Sequence, residues 1–109
     1  MRAMRAYALG EPLTLSDVPE PTPGPGEALL RVHACGVNFA DTLMVAGKYQ
    51  EKPPVPLTPG MEICGTVAAL GPGADGVAVG QRVASFVGHG GFAEFLAVPA
   101  ARCVPVPEA

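Results

Sequence analysis

The sequence has no run of roughly 18 or more apolar residues, so no segment reads as a membrane span. Near the start, Arg2 and Arg5 are followed by Glu11 and Pro12 rather than by an apolar stretch, which argues against a secretory leader. There is no C-x-x-C spacing. The three cysteines, Cys35, Cys64 and Cys103, read as free thiols of a reducing, cytoplasmic environment rather than as a disulfide frame or zinc site. No basic cluster exists. Seven Lys and Arg stand against ten Asp and Glu, for a formal net charge of −3, which excludes a nucleic-acid binder. Charge of either sign is scarce, at 16% of residues. A small domain leaves much of its surface exposed, so such scarcity points to a face covered by something else.

Turn residues and apolar residues are plentiful. Fourteen glycines and 13 prolines occur in 109 residues, while 49% of the chain is hydrophobic. That apolar fraction separates the chain from disordered Gly/Pro-rich sequences, and the length fits one domain. Prolines interrupt most windows that would hold a long helix. Strand-type runs are expected over 4–9, 13–18, 27–37, 61–70, 82–87, 92–98 and 103–106, the second with clear apolar–polar alternation. The stretch 19–27 reads as a turn-rich connection, and 48–60 as a proline-rich loop.

One helix is expected, over 38–46. Asn38 suits its N-cap, Asp41 stands three residues on as in a capping box, and Gly47 ends it. Seven short strands and one helix suggest a small, partly open β-barrel.

Two glycine-rich motifs are misleading. Gly71-Pro72-Gly73-Ala74-Asp75-Gly76 matches G-x-G-x-x-G, but VAVGQRV follows where a dinucleotide site requires a helix. It reads as a turn between strands. Gly88-His89-Gly90-Gly91 lacks the Lys and Ser/Thr of a phosphate loop and reads as a turn with an exposed His89. His33 lies in a strand pattern and reads as a packed or surface residue. Neither histidine has companions at metal spacing.

Four collinear segments carry a resemblance. They are C-G-V-N-F-A-D-T-L-M-V-A-G-K-Y from Cys35 to Tyr49, P-G-M-E-I-C-G-T-V from Pro59 to Val67, V-G-Q-R-V from Val79 to Val83, and G-G-F-A-E-F from Gly90 to Phe95. Together they resemble the catalytic domain of the medium-chain dehydrogenase/reductase superfamily. The resemblance implies a mainly β, GroES-like, partly open β-barrel with one or two short helices. Zinc enzymes of that superfamily have a cysteine where this chain has Asn38 and a histidine where it has Met61. The structural zinc lobe would fall between Phe86 and Gly90, where few residues stand. The resemblance is therefore to the zinc-free branch, quinone oxidoreductases of the zeta-crystallin type, with G-K-Y-Q-E-K-P-P as a further match.

That branch transfers hydride from NADPH to a quinone or similar conjugated acceptor, in a cleft between this domain and a following Rossmann domain. The resemblance implies that residues 1–109 are the GroES-like catalytic domain of a longer enzyme, inactive alone, with its Rossmann-facing surface exposed or hidden by self-association into a homo-oligomer. It assigns Asn38 and Tyr49 to catalysis, and Asn38, Phe39, Asp41 and Tyr49 to the cofactor side. Plainer roles stand beside these: helix capping for Asn38, first-turn charge for Asp41, core filling for Phe39, packing on the proline-rich loop for Tyr49. Met61 marks the vacated zinc position, Glu62 is expected in a buried ion pair, and Leu43 replaces a tyrosine of some relatives. Enoyl-thioester reductases of the same superfamily are an alternative, and a non-catalytic GroES-like binding or assembly module is a second.

Overall fold

A computed structural model describes residues 1–107. Two antiparallel sheets carry the fold. The smaller pairs β1 (Arg2–Arg5) with β2 (Thr14–Asp17). The larger has five strands: β3 (Glu27–Cys35), β4 (Glu62–Leu70), β5 (Arg82–Phe86), β6 (Phe95–Pro99) and β7 (Val104–Pro105), in the order β6-β3-β4-β5-β7. The sheets do not close on each other, in agreement with the partly open barrel expected.

The first strand sits two residues earlier than its apolar run suggests, and it stops at Arg5. Ala6 leaves the sheet to bridge Leu57 in the proline-rich loop, with N–H···O bonds in both directions at 2.8 and 2.9 Å. The run expected from Phe92 starts as a strand only at Phe95, because residues 92–94 join the two sheets instead. The Met4 N–H donates to the Phe92 carbonyl, Ala3 bridges Ala93, and the Glu94 N–H donates to the Arg2 carbonyl. A 3₁₀ turn at Ala100–Arg102, absent from the sequence reading as a separate element, precedes β7.

Inward-facing β residues make one core, around Ala28, Leu30, Ile63, Val67, Val83 and Val98. A second cluster, Ala6, Met44, Leu57 and Met61, packs the helix α1 (Phe39–Val45) against the start of β1 and the proline-rich loop. Aliphatic burial at ~25 cal/mol per Å² is the main cohesive term in both. The G-x-G-x-x-G stretch is the turn between β4 and β5: the Ala74 N–H donates to the Gly71 carbonyl, and strand β5, not a helix, follows. All three cysteines are free thiols.

Candidate functional site

Helix α1 positions the site. Asn38 is its N-cap, in extended conformation, and Gly47 closes it at φ 73°. The Gly47 N–H donates to the Met44 carbonyl and the Lys48 N–H to the Leu43 carbonyl, a paired C-terminal closure that requires a residue at ease with positive φ. The N-terminal end is held differently from a simple asparagine cap. The Asn38 side chain lies beside the first turn as in a capping box, yet it makes no side-chain cap hydrogen bond. The Asp41 N–H goes instead to the Asn38 backbone carbonyl at 3.0 Å.

Asp41 does the capping. Its Oδ2 accepts the Asn38 N–H at 2.8 Å, and its Oδ1 accepts the Gly60 N–H at 3.0 Å. Asp41 is 4% exposed, with both oxygens committed to backbone donors. It fixes the helix entry against the Pro59-Gly60-Met61 turn. Gly60 has φ 107°, and a Cβ there would stand 2.7 Å from the Phe92 nitrogen and 2.9 Å from Cys35 Sγ.

The Asn38 side chain faces the Asp41 backbone N–H as the other half of the box, without a hydrogen bond there, and its amide nitrogen turns to β4. Its Nδ2 approaches Glu62 Oε1 at 3.5 Å, the outer limit of a hydrogen bond. The Glu62 side chain lies over Gly36, where a Cβ would collide with the carboxylate. Glu62 is exposed, and no ion pair among the described residues includes it. The expected buried ion pair is thus overturned: Met61 and Ile63 turn inward at 5% and 4% exposure, and strand alternation puts Glu62 on the opposite face.

Phe39 is 78% exposed, so it does not fill the core. It stands in the first helical turn on the side away from Met44, the residue that enters the second cluster. Val37 is 80% exposed, so two apolar side chains flank Asn38 in solvent. Tyr49 is half-buried and packs on the cluster that contains Met61. Asn38 approaches Glu62 at the start of β4, whereas Tyr49 packs at the other end of the helix on the cluster of Ala6, Met44, Leu57 and Met61. Leu43 is half-buried.

An open groove of about 550 Å³ begins at this point. Gly36 and Glu62 lie at one end, and the exposed Phe86 and Val104 form a wall. Sequence reasoning missed these two. Their signal was their place on strands β5 and β7, with small residues such as Ala84 beside them. His89 is exposed, as expected, and His33 is a surface residue paired with Thr66 Oγ1 at 2.8 Å.

The local field is acidic. Burial raises the Cys35 thiol above its ordinary pKa, and the Asp41 charge raises it further. The thiol stays neutral and is a packing group rather than a nucleophile. Asn38 presents an amide and Met61 a buried thioether, which is not the thiolate and imidazole set of a catalytic zinc. Among the described residues, no three His, Cys, Asp or Glu side chains gather at metal-binding distance. What the start of the helix offers is an amide and apolar surface beside a carboxylate. That set suits a flat, neutral or cationic ring better than a phosphate.

Residues 24–108 match the alcohol dehydrogenase GroES-like domain. The quinone oxidoreductase of Rattus norvegicus is 39% identical over 112 residues, covering 99% of this chain and 34% of that protein. The synaptic vesicle membrane protein VAT-1 homolog of the same species is 46% identical over 89 residues, covering 82% of this chain and 22% of that protein. Among solved structures, the quinone oxidoreductase from Thermus thermophilus, also described in complex with NADPH, superposes with TM-score 0.85 at 44% identity, over 99% of this chain and 33% of that one. The chain spans about a third or less of the length of these relatives. It belongs to the alcohol dehydrogenase GroES-like domain family, with quinone oxidoreductases among its relatives.

Proposed function

We propose that the chain is the acceptor-side domain of an NADPH-dependent oxidoreductase that reduces a quinone or similar conjugated carbonyl without a catalytic zinc. The observation that carries this reading is the Asn38 amide, which stands at the helix start between the exposed Val37 and Phe39 with its nitrogen toward Glu62. NADPH, when bound, supplies a hydride; the protein's share is orientation and electrostatics.

The residues of this chain fit the nicotinamide end of that cofactor. Asn38 can donate and accept at once, so one amide can hold a carboxamide or a carbonyl oxygen. Tyr49 presents a ring and a phenol from the far end of the helix. Asp41 is a positioning residue that fixes Asn38 through its backbone. The Glu62 carboxylate favours a cationic ring beside it over an anionic one. Phosphate groups find no partner here and belong with a dinucleotide-binding domain outside this chain, consistent with the third of the relatives' length that the chain spans.

The test is NADPH consumption by the full-length enzyme with a quinone and, separately, an enoyl thioester. Faster turnover of the quinone is expected. Preference for the thioester would move the reading to the enoyl-reductase alternative, and no NADPH oxidation with either would favour a binding or assembly module.

A further inference from the structure

Glu62 opens β4, and its backbone carbonyl accepts the Gly36 N–H at 3.1 Å. Its side chain lies flat on that glycine. A Cβ on Gly36 would overlap the carboxylate Oε1 and stand 3.0 Å from Cγ and 3.1 Å from Cδ. The missing side chain there is thus the seat of the carboxylate. Among the described residues no ion pair includes Glu62, and its one side-chain hydrogen-bond partner is Asn38 Nδ2, at 3.5 Å. A contact of that length between exposed groups adds little stability. What it supplies is direction.

The two ends of an asparagine amide match in shape and differ in chemistry, since the oxygen accepts and the nitrogen donates. Glu62 stands at one end of the Asn38 amide and the Asp41 backbone N–H at the other. An ionised carboxylate only accepts, and an N–H only donates. Turned over, the amide would set its oxygen against the carboxylate and its nitrogen against the N–H, two repulsive contacts at once. The oxygen therefore faces the first helical turn. The nitrogen carries two N–H bonds, of which Glu62 takes one.

We propose that Glu62 is a second positioning residue: seated on Gly36, it holds the Asn38 amide with its nitrogen toward β4 and leaves one Nδ2–H for a carbonyl oxygen of the ligand. The inference rests on the proposed function and narrows it, because the group that meets Asn38 accepts a hydrogen bond rather than donating one. A conjugated acceptor and a nicotinamide carboxamide both carry such an oxygen.

Steady-state kinetics of the full-length enzyme test this. Glu62→Ala is expected to lower kcat/KM roughly tenfold, with little change in melting temperature because Glu62 is exposed. Glu62→Gln keeps an oxygen that accepts and is expected to recover most of the loss. Gly36→Ala pushes the carboxylate off its seat and is expected to act like Glu62→Ala. In an Asn38→Ala background, Glu62→Ala is expected to have no further effect, since the two residues act as one unit. A rise in KM for the quinone assigns the carbonyl to the acceptor, and a rise in KM for NADPH assigns it to the carboxamide. NMR signals of the Asn38 side-chain amide, in enzyme carrying isotope-labelled asparagine, read the same contact without turnover. Glu62→Ala is expected to move them, and Glu62→Gln to move them less. Wild-type enzyme that oxidises no NADPH would overturn the proposed function, while these signals would still decide the role of Glu62. Wild-type kcat/KM in Glu62→Ala or Gly36→Ala, a Gln variant as slow as the Ala variant, multiplied losses in the double variant, or unmoved Asn38 signals would each overturn the proposal.

Discussion

The carboxylate of Asp41 accepts the backbone N–H of Gly60 at 3.0 Å, across 19 residues of chain. With its other oxygen it accepts the Asn38 N–H. One buried acid thus locks the entry of the helix to the turn that leads into β4. Its place in the helix N-terminus adds a favourable dipole interaction.

Asp41→Ala should therefore destabilise the domain by about 2 to 4 kcal/mol, since two buried N–H groups lose charge-assisted partners. Asp41→Asn keeps one oxygen acceptor and should lose about half as much. Urea unfolding monitored by circular dichroism measures both. Equal stability of the Ala variant and the wild type would show that water replaces the carboxylate at no cost.

Gly60 sits at φ 107°, with the Phe92 nitrogen, Gly91 Cα and Cys35 Sγ all within 2.9 Å of where a Cβ would be. Backbone and a packed sulfur cannot swing aside as a flexible side chain would. Gly60→Ala should cost about 3 kcal/mol from strain and overlap together. Gly73 also has positive φ, yet its added Cβ meets nothing within 4 Å. Gly73→Ala should cost about 1 kcal/mol, from conformation alone. Thermal unfolding of the pair separates the two effects.

Glu94 joins the sheets by accepting the Arg2 N–H, and that bond, helped by the Arg2 charge, holds its carboxyl below the usual glutamate pKa. A carboxylate favoured in the folded state adds stability above its unfolded pKa near 4.5, and that stability is lost as pH falls through the folded value. The wild type should melt above Glu94→Gln at pH 7, and the gap should narrow below pH 4.5. A gap independent of pH between 7 and 3 would assign the difference to packing.

Much of this was legible in the sequence because it depended on local chemistry. Asn38 and Gly47 marked the helix to within one residue at each end, since caps are local. Strand-type apolar runs located β3 and β4. A run alone does not say which face is core, so Glu62 was placed inside when Met61 and Ile63 had already taken the inner face. Core filling is the common fate of an aromatic residue, but Phe39 is exposed because the seven-residue helix has only a narrow buried stripe, which Asp41 and Met44 occupy. The shift of β1 came from Ala6 pairing with Leu57, a contact across 51 residues that no local pattern encodes. The division of labour between Asn38 and Asp41 was likewise hidden, because either side chain could have capped the turn.

That division is the centre of the proposed function: Asp41 holds the helix, and Asn38 is proposed to meet the ligand. The most direct measurement is kcat for quinone reduction by full-length Asn38→Asp enzyme, read beside its melting temperature. Asn38 makes no side-chain cap bond, so the melting temperature should change little, while the lost amide donor and added charge should lower kcat at least tenfold. A normally folded Asn38→Asp enzyme turning over at the wild-type rate would contradict the account.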